Sequence, residues 1–207
     1  TLVASMPISQ RPEHHDLSIK HAQWLTNKFQ NAYNVEIDLT YPFLTFENSL
    51  KDKKFTSDLG FANSKARLRM MTLYQISAST SGIVVGTGNK VEDFGVGFYT
   101  KYGDGGVDIS PIADCNKSQV WSMGKELGIL EEIQMAEPTD GLWSDGRTDT
   151  DQLGMSYKEI EHLMTRPDEV GYEKYLAIRK KNLHKMKPIP VCKFDGKDTL
   201  DTDQKET

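Results

Sequence analysis

Only two cysteines, Cys115 and Cys192, occur in 207 residues. Neither has a nearby partner suited to a zinc site or a nucleophilic dyad. A disulfide-built scaffold is thereby excluded, and the usage fits a reducing, cytoplasmic compartment. No hydrophobic run approaches the length that crosses a bilayer and no signal segment is visible, so the expectation is no membrane partner. Positive charge is in short supply. Lysine and arginine number 25 against 30 acids, a net charge of −5, which argues against a nucleic-acid partner held by bulk charge but allows a local basic pocket. Several chemistry-bearing motifs are also missing. Gly86-Thr87-Gly88-Asn89-Lys90 lacks the spacing of a Walker loop, Asp104 to Asp108 lacks the glutamate that closes a calcium loop, and there is no nucleophile elbow. Internal repeats and dividing linkers are absent, so one domain is predicted over residues 1–194.

What is present centres on Ile83 to Pro111. Ile83-Val84-Val85 is a β-branched run without alternation, the pattern of a parallel strand buried on both faces. It stops at Gly86-Thr87-Gly88-Asn89, and Lys90, Glu92 and Asp93 follow at once. Seven glycines fall between Gly86 and Gly106, with Lys101, Asp104 and Asp108 among or beside them. A solvated loop needs no such backbone freedom beside so many charges, so the stretch reads as a loop shaped around a phosphate or nucleotide.

Around it the periodicity predicts strands over Leu2 to Met6 and Val35 to Leu39, and helices over Asp16 to Phe29, Asn63 to Thr80 (with Asn63 as cap), Asn116 to Leu127, and Gly171 to His184. In the segment Asn116 to Leu127, Val120, Met123 and Leu127 are expected inward. Tyr41 to Phe61 shows no period and reads as a connection with one helical turn, its lysines solvated. Residues 137–154 read as an irregular polar loop. Ser156 and Glu159 form a capping box that opens a short helix with Ile160 and Leu163 inward. Residues 195–207, with five acids, two lysines and no apolar period, read as a disordered tail. Alternating strands and helices predict an α/β doubly wound parallel sheet with helices on both faces, with ligands at the carboxyl ends of the strands. Lys117 at the start of its helix opposes the helix dipole unless an anion lies between them.

Several blocks together resemble one family. Asn63-x-x-Ala66-Arg67-x-Arg69-Met70, Val85-Gly86-Thr87-Gly88-Asn89-x-x-Glu92 and Thr100-Lys101-Tyr102-Gly103-Asp104-Gly105-Gly106-x-Asp108-Ile109-x-Pro111 carry the likeness. Pro138-Thr139-x-Gly141-Leu142-Trp143 and His184-Lys185 continue it in the same order. Over Leu2 to Pro190 the chain resembles NAD synthetase of the ammonia-dependent type, within the nucleotide α-hydrolase group of folds. The resemblance implies a homodimer and an ATP-dependent amidation of deamido-NAD with ammonia. The nicotinate carboxylate is adenylylated with release of pyrophosphate, and ammonia then displaces AMP to give NAD. It also implies that Thr87, Lys117 and Thr139 contact ATP, Lys117 taking a catalytic role at the phosphates, and that Glu92 holds Mg²⁺. Arg67, Lys101, Asp108, His184 and Lys185 would bind deamido-NAD, partly across the dimer, and Asp108 would also accept a proton on the ammonia side.

Two departures from the family pattern stand out. Its Ser-Gly-Gly-x-Asp-Ser pyrophosphate loop would lie one strand and one helix upstream of Leu2, so the expectation is that these residues are a fragment. Asp140 and Thr150 stand where the family usually has Ala and commonly has an acid. The alternatives are another amidating or adenylylating enzyme of the same fold, such as a GMP-synthetase or tRNA-modifying ATP pyrophosphatase, or a non-catalytic nucleotide-binding dimer.

Overall fold

The computed structural model describes residues 1–192, so the expected acidic tail lies outside the described residues. The elements run β1 (Leu2–Ser5), α1 (Pro12–Lys28), β2 (Tyr33–Glu36), α2 (Thr40–Lys51), α3 (Asp58–Thr80), a π-helical turn (Val91–Val96), α4 (Lys117–Glu126), α5 (Glu131–Met135), α6 (Asp149–Leu153), α7 (Tyr157–Leu163) and α8 (Tyr172–Met186). Strand pairing is parallel throughout: β1 pairs β2 from Leu2↔Tyr33 to Ser5↔Glu36, and α1 provides the crossover that a parallel pair requires. The fold is α/β, as the alternation of elements predicts.

The expected Ile83 strand is reduced to one parallel bridge, Val85↔Ile109. Val84 is 5% exposed, but its neighbours Ile83 and Val85 are 60% and 51% exposed, so the run is not buried on both faces. Its backbone is held from one side, by Asp108 N–H to Val84 O at 3.0 Å and Gly86 N–H to Ile109 O at 2.7 Å.

Two apolar clusters organise the rest. Ile8, Leu39, Phe43 and Phe61 form one, with Met6, Ile37, Leu50 and Leu68 packed against it. This cluster explains α2, which replaces the irregular connection expected over Tyr41 to Phe61. Leu39, Phe43 and Leu50 lie at helical spacings of four and seven, and Asp38 Oδ1 accepts from Thr40 N–H at 2.8 Å to start the turn. Lys51 pairs with Glu47 one turn back, at 3.2 Å. α3 also begins earlier than predicted: Ser57, not Asn63, is the cap, its hydroxyl accepting from Gly60 N–H at 3.1 Å.

The second cluster joins Val91 and Val96 of the π-turn to Leu153, Met155, Tyr157, Ile160, Leu163 and Tyr175. Its side chains come from four segments, so the π-turn is clamped between α7 and α8. The predicted capping box on α7 is present, with Ile160 at 0% exposure. In α4 the cap at Asn116 and the stop at Gly128 (φ +68°) are as expected, but Met123 and Leu127 face outward and Trp121 is the residue that reaches the core. Residues 137–154, expected irregular, contain α6, opened by its own capping box between Thr148 and Asp151.

Candidate active site

Glu92 stands on the π-helical turn, a local widening of the helix often found at functional sites. Lys117 Nζ donates to Glu92 Oε1 at 2.9 Å, and the Tyr157 hydroxyl lies 2.7 Å from the same oxygen. Lys117 also sits 4.7 Å from the Tyr157 ring centroid. The anion expected near the start of α4 is therefore supplied by the chain itself. Tyr157 Oη is in turn 2.7 Å from Asp149 Oδ2. A phenol has one proton to donate, so two short contacts to carboxylates need a second proton on one of the acids. Asp149 is 6% exposed, and burial pushes its carboxyl upward, as does the nearby Glu92. Its Oδ1 is buried without a partner.

Tyr157 and Asp149 were not legible as site residues. Tyr157 reads as a core aromatic, and its link to Glu92 spans 65 residues. The Thr148-x-x-Asp151 box, which puts Asp149 in the first turn of α6, is the signal that could have found it. Replacing Tyr157 by phenylalanine keeps the ring that meets Trp121 edge-on at 6.1 Å and removes only the shared hydroxyl. The expected result is a loss of about 1–3 kcal/mol in unfolding free energy, because a buried acid and a partly buried one lose their common partner. Chemical denaturation of the two proteins measures it.

Two cavities meet at Asp140, and the smaller touches this network through Lys117. The smaller, about 450 Å³, is lined by Lys117, Thr139, Gly141, Trp121 and His14. The larger, about 880 Å³, is lined by Thr87, Arg69, Asp104, Trp143, His184 and Lys185. Asp140 lines both. Its oxygens accept from Leu142 N–H and Gln152 Nε2, both at 3.0 Å. Gln152 Oε1 takes the Trp143 indole N–H, also at 3.0 Å, so the loop before α6 is tied to α6 rather than free. Thr139 Oγ1 donates to Arg147 O at 3.0 Å and accepts from Gly141 N–H at 3.2 Å. Lys117 and Thr139 thus share one cavity while Thr87 faces the other.

Of the residues expected at the second substrate, Lys185 is the most firmly built in. Its Nζ donates to Gly97 O at 2.9 Å and Tyr99 O at 2.6 Å, while Tyr99 Oη donates back to Lys185 O at 2.6 Å. Desolvation lowers the pKa of this ammonium. Arg67 is exposed, its Nε donating to Lys101 O at 3.2 Å, and Lys101 Nζ reaches His184 O at 3.5 Å. These three are brought together on one rim. Asp108 is placed differently. Its Oδ2 accepts from Val84 N–H at 2.7 Å and its Oδ1 from the Tyr74 hydroxyl at 3.0 Å. One oxygen thus holds the Val84 segment and the other meets α3 at Tyr74.

Asp93, next to Glu92, is partly buried over Gly88, where an added Cβ would meet its Oδ1 at 2.3 Å. Burial, then Glu92 and Asp104, raise its pKa from 3.8 to about 6. An acid raised in the native state binds its proton more tightly there than in the unfolded chain. Its penalty on stability is therefore absent below about pH 3.8, grows up to about pH 6 and persists above it. Asp93→Asn is expected to raise unfolding free energy by about 1–2 kcal/mol at pH 8 after allowance for solvent screening. No gain is expected at pH 3.5, and denaturant titrations at the two pH values check this.

A family model described as NAD synthase matches residues 1–193. The chain belongs to the NAD synthase family. It is 38% identical over 161 residues to the NH(3)-dependent NAD(+) synthetase of Carboxydothermus hydrogenoformans, a match covering 77% of this chain and 63% of that relative. The chain therefore spans less than two thirds of that relative's length. Among solved structures it resembles an NMN synthetase from Francisella tularensis, with a TM-score of 0.82, 29% identity, and coverage of 94% of this chain and 79% of that one. An NH3-dependent NAD synthetase from Campylobacter jejuni shares the fold, at a TM-score of 0.64 and 23% identity over 93% of this chain and 77% of the other. Membership bears out the α/β Rossmann-like class expected from the sequence.

Proposed function

We propose that the protein catalyses ATP-dependent amidation of a nicotinate carboxyl group with ammonia, converting deamido-NAD to NAD. The observation that carries this reading is the placement of family-motif residues around two adjoining cavities joined at Asp140, one for each large substrate. ATP would occupy the side of Lys117 and Thr139 and reach Thr87 across the wall that the cavities share at Asp140. The dinucleotide would lie along Arg67, Lys101, His184 and Lys185, with Asp108 fixing the wall beneath it.

The chemistry explains why cations line both sides. The nicotinate oxygen attacks the α-phosphorus of ATP, forming an acyl-adenylate and releasing pyrophosphate. Ammonia attacks the acyl carbon, AMP leaves, and nitrogen loses a proton. Two anions must approach for the first step, and Lys117 offsets the charge that builds on the departing pyrophosphate. Glu92 fits a Mg²⁺ ligand. Its Oε1 is occupied by Lys117 and Tyr157, whereas its Oε2 has only a 3.4 Å contact from Asn89 N–H, and Mg²⁺ commonly takes one or two carboxylates with phosphates and waters. Bound there, the ion would neutralise triphosphate charge. Among the described residues no group of three or more acidic, histidine or cysteine side chains is arranged to hold a metal, consistent with a site completed by substrate. Large apolar side chains left exposed on α3, Leu59 and Met71 among them, support a homodimer. No described helix is long and apolar enough to cross a membrane, and two free cysteines accord with the cytoplasm.

A second reading is favoured by the structural likeness to the NMN synthetase: the acceptor would be nicotinate mononucleotide rather than the dinucleotide. The reaction is the same, and the two differ in whether an adenylate half must be housed. A competition assay with ATP, Mg²⁺, ammonium and equal amounts of both acceptors decides between them. NAD as the main product is expected. NMN as the main product would select the second reading, and neither product would overturn both.

A further inference from the structure

Lys65 and Arg69 lie one turn apart on α3, and the established reading of the site gives neither a role. Both are drawn out of water, and burial lowers the pKa of each, as does the proximity of Arg69 to Lys65. Arg69 Nε donates to Met6 O at 2.9 Å, which fixes one edge of the guanidinium. Its Nη2 is buried with no hydrogen-bond partner, and the residue lines the larger cavity. Lys65 Nζ donates to Leu142 O at 2.9 Å, beneath another residue of that cavity wall.

Among the described residues neither cation forms an ion pair, although Glu47 and Asp140 lie near enough to act on Lys65, Glu47 being paired with Lys51 at 3.2 Å. Asp140 and Asp104 are near enough to act on Arg69, but neither forms an ion pair with it. Asp140 is taken by Leu142 N–H and Gln152, and Asp104 Oδ1 accepts from Thr100 N–H at 2.9 Å. Like charges four residues apart destabilise a helix, and a buried N–H left unpaired loses its hydration without return. A chain that keeps this arrangement gains from an anion arriving between them. A guanidinium with Nε anchored and Nη2 unpartnered keeps a charged donor for a phosphoryl oxygen.

We propose that Arg69 and Lys65 form a phosphate-recognition edge of the larger cavity, binding a phosphoryl group of one of the nucleotide substrates. This rests on the nucleotide-site reading of that cavity, yet it can be tested apart from it. Calorimetric titration of the complete purified protein with inorganic pyrophosphate is the first arm. Arg69→Met is expected to weaken binding at least about tenfold, and Lys65→Met roughly three- to tenfold, with a shallower salt dependence in both. If Arg69→Met does not fold, Lys65→Met decides. Folded variants that bind pyrophosphate as the parent does would overturn the proposal, whether or not the protein makes NAD. The second arm assigns the source: a raised KM for ATP alone places the ATP phosphates on this edge, and a raised KM for the acceptor alone places the acceptor's phosphate there. Weakened pyrophosphate binding in a protein that forms neither NAD nor NMN would uphold the edge and remove the amidation reading.

Discussion

Replacing Lys117 by methionine is expected to lower turnover by roughly two to three orders of magnitude, the usual effect of removing one preorganised charge from a developing anion. The fall should appear in kcat, since the positive charge matters most when pyrophosphate departs. Lys117 is also the partner of Glu92 at 2.9 Å, so its loss leaves a partly buried carboxylate without its cation. Some instability accompanies the catalytic loss, about 1–3 kcal/mol, and must be measured beside it. Glu92→Gln separates the two effects. The amide keeps the shape, weakens the ion pair and should raise the Mg²⁺ concentration needed for half-maximal rate. Because Glu92 and Lys117 touch, the double variant is expected to cost much less than the sum of the singles. Additive losses would mean that the pair does not act as a unit.

Gly97→Ala is the second large effect. Gly97 ends the π-turn at φ +66°, a left-handed conformation costing an L-residue about 1–2 kcal/mol. Space is also missing: an added Cβ would meet Asn182 Cβ at 2.7 Å and Met186 Cε at 2.8 Å. Asn182 belongs to α8 and its Nδ2 donates to Val96 O at 3.0 Å, so the clash falls where α8 grips the turn that carries Glu92. A total loss of roughly 2–5 kcal/mol is expected from strain plus overpacking. The carbonyl of Gly97 also anchors Lys185, so any activity that survives should show a raised KM for the acceptor. Gly128→Ala is the control. Its φ is +68° with nothing within 4 Å of an added Cβ, so it should show the conformational part alone. Equal losses at both positions, by chemical denaturation, would remove the packing argument.

Local signals in the sequence match the structure, and long-range contacts leave little trace in it. The caps of α4 and α7 are written within four residues, so Asn116 and Ser156 announce them. α2 was missed because its buried stripe is thin: Phe43 is its one buried residue, and the rest of the period makes sense only once Ile8 and Phe61 are known to face it. Ile83 to Val85 has the composition of a buried strand, but composition cannot say that only Val84 is covered. At the site, the family motifs single out Glu92 and Lys117, which the structure sets 2.9 Å apart. They could not reveal Tyr157 and Asp149 behind them, since hydrogen bonds across 65 and 8 residues leave no local pattern. Asp108 sits in a glycine-rich motif that invites a chemical role, and its two hydrogen bonds, across 24 and 34 residues, leave no mark in the sequence.

The most direct test of the amidation chemistry is to follow oxygen. Nicotinate-labelled deamido-NAD carrying ¹⁸O in the carboxylate, incubated with ATP, Mg²⁺ and ammonium, should yield NAD and AMP in equal amounts with one ¹⁸O per AMP. That transfer requires a carboxylate oxygen to have attacked the α-phosphorus. Unlabelled AMP, or label appearing in inorganic phosphate with ADP as co-product, would contradict the account.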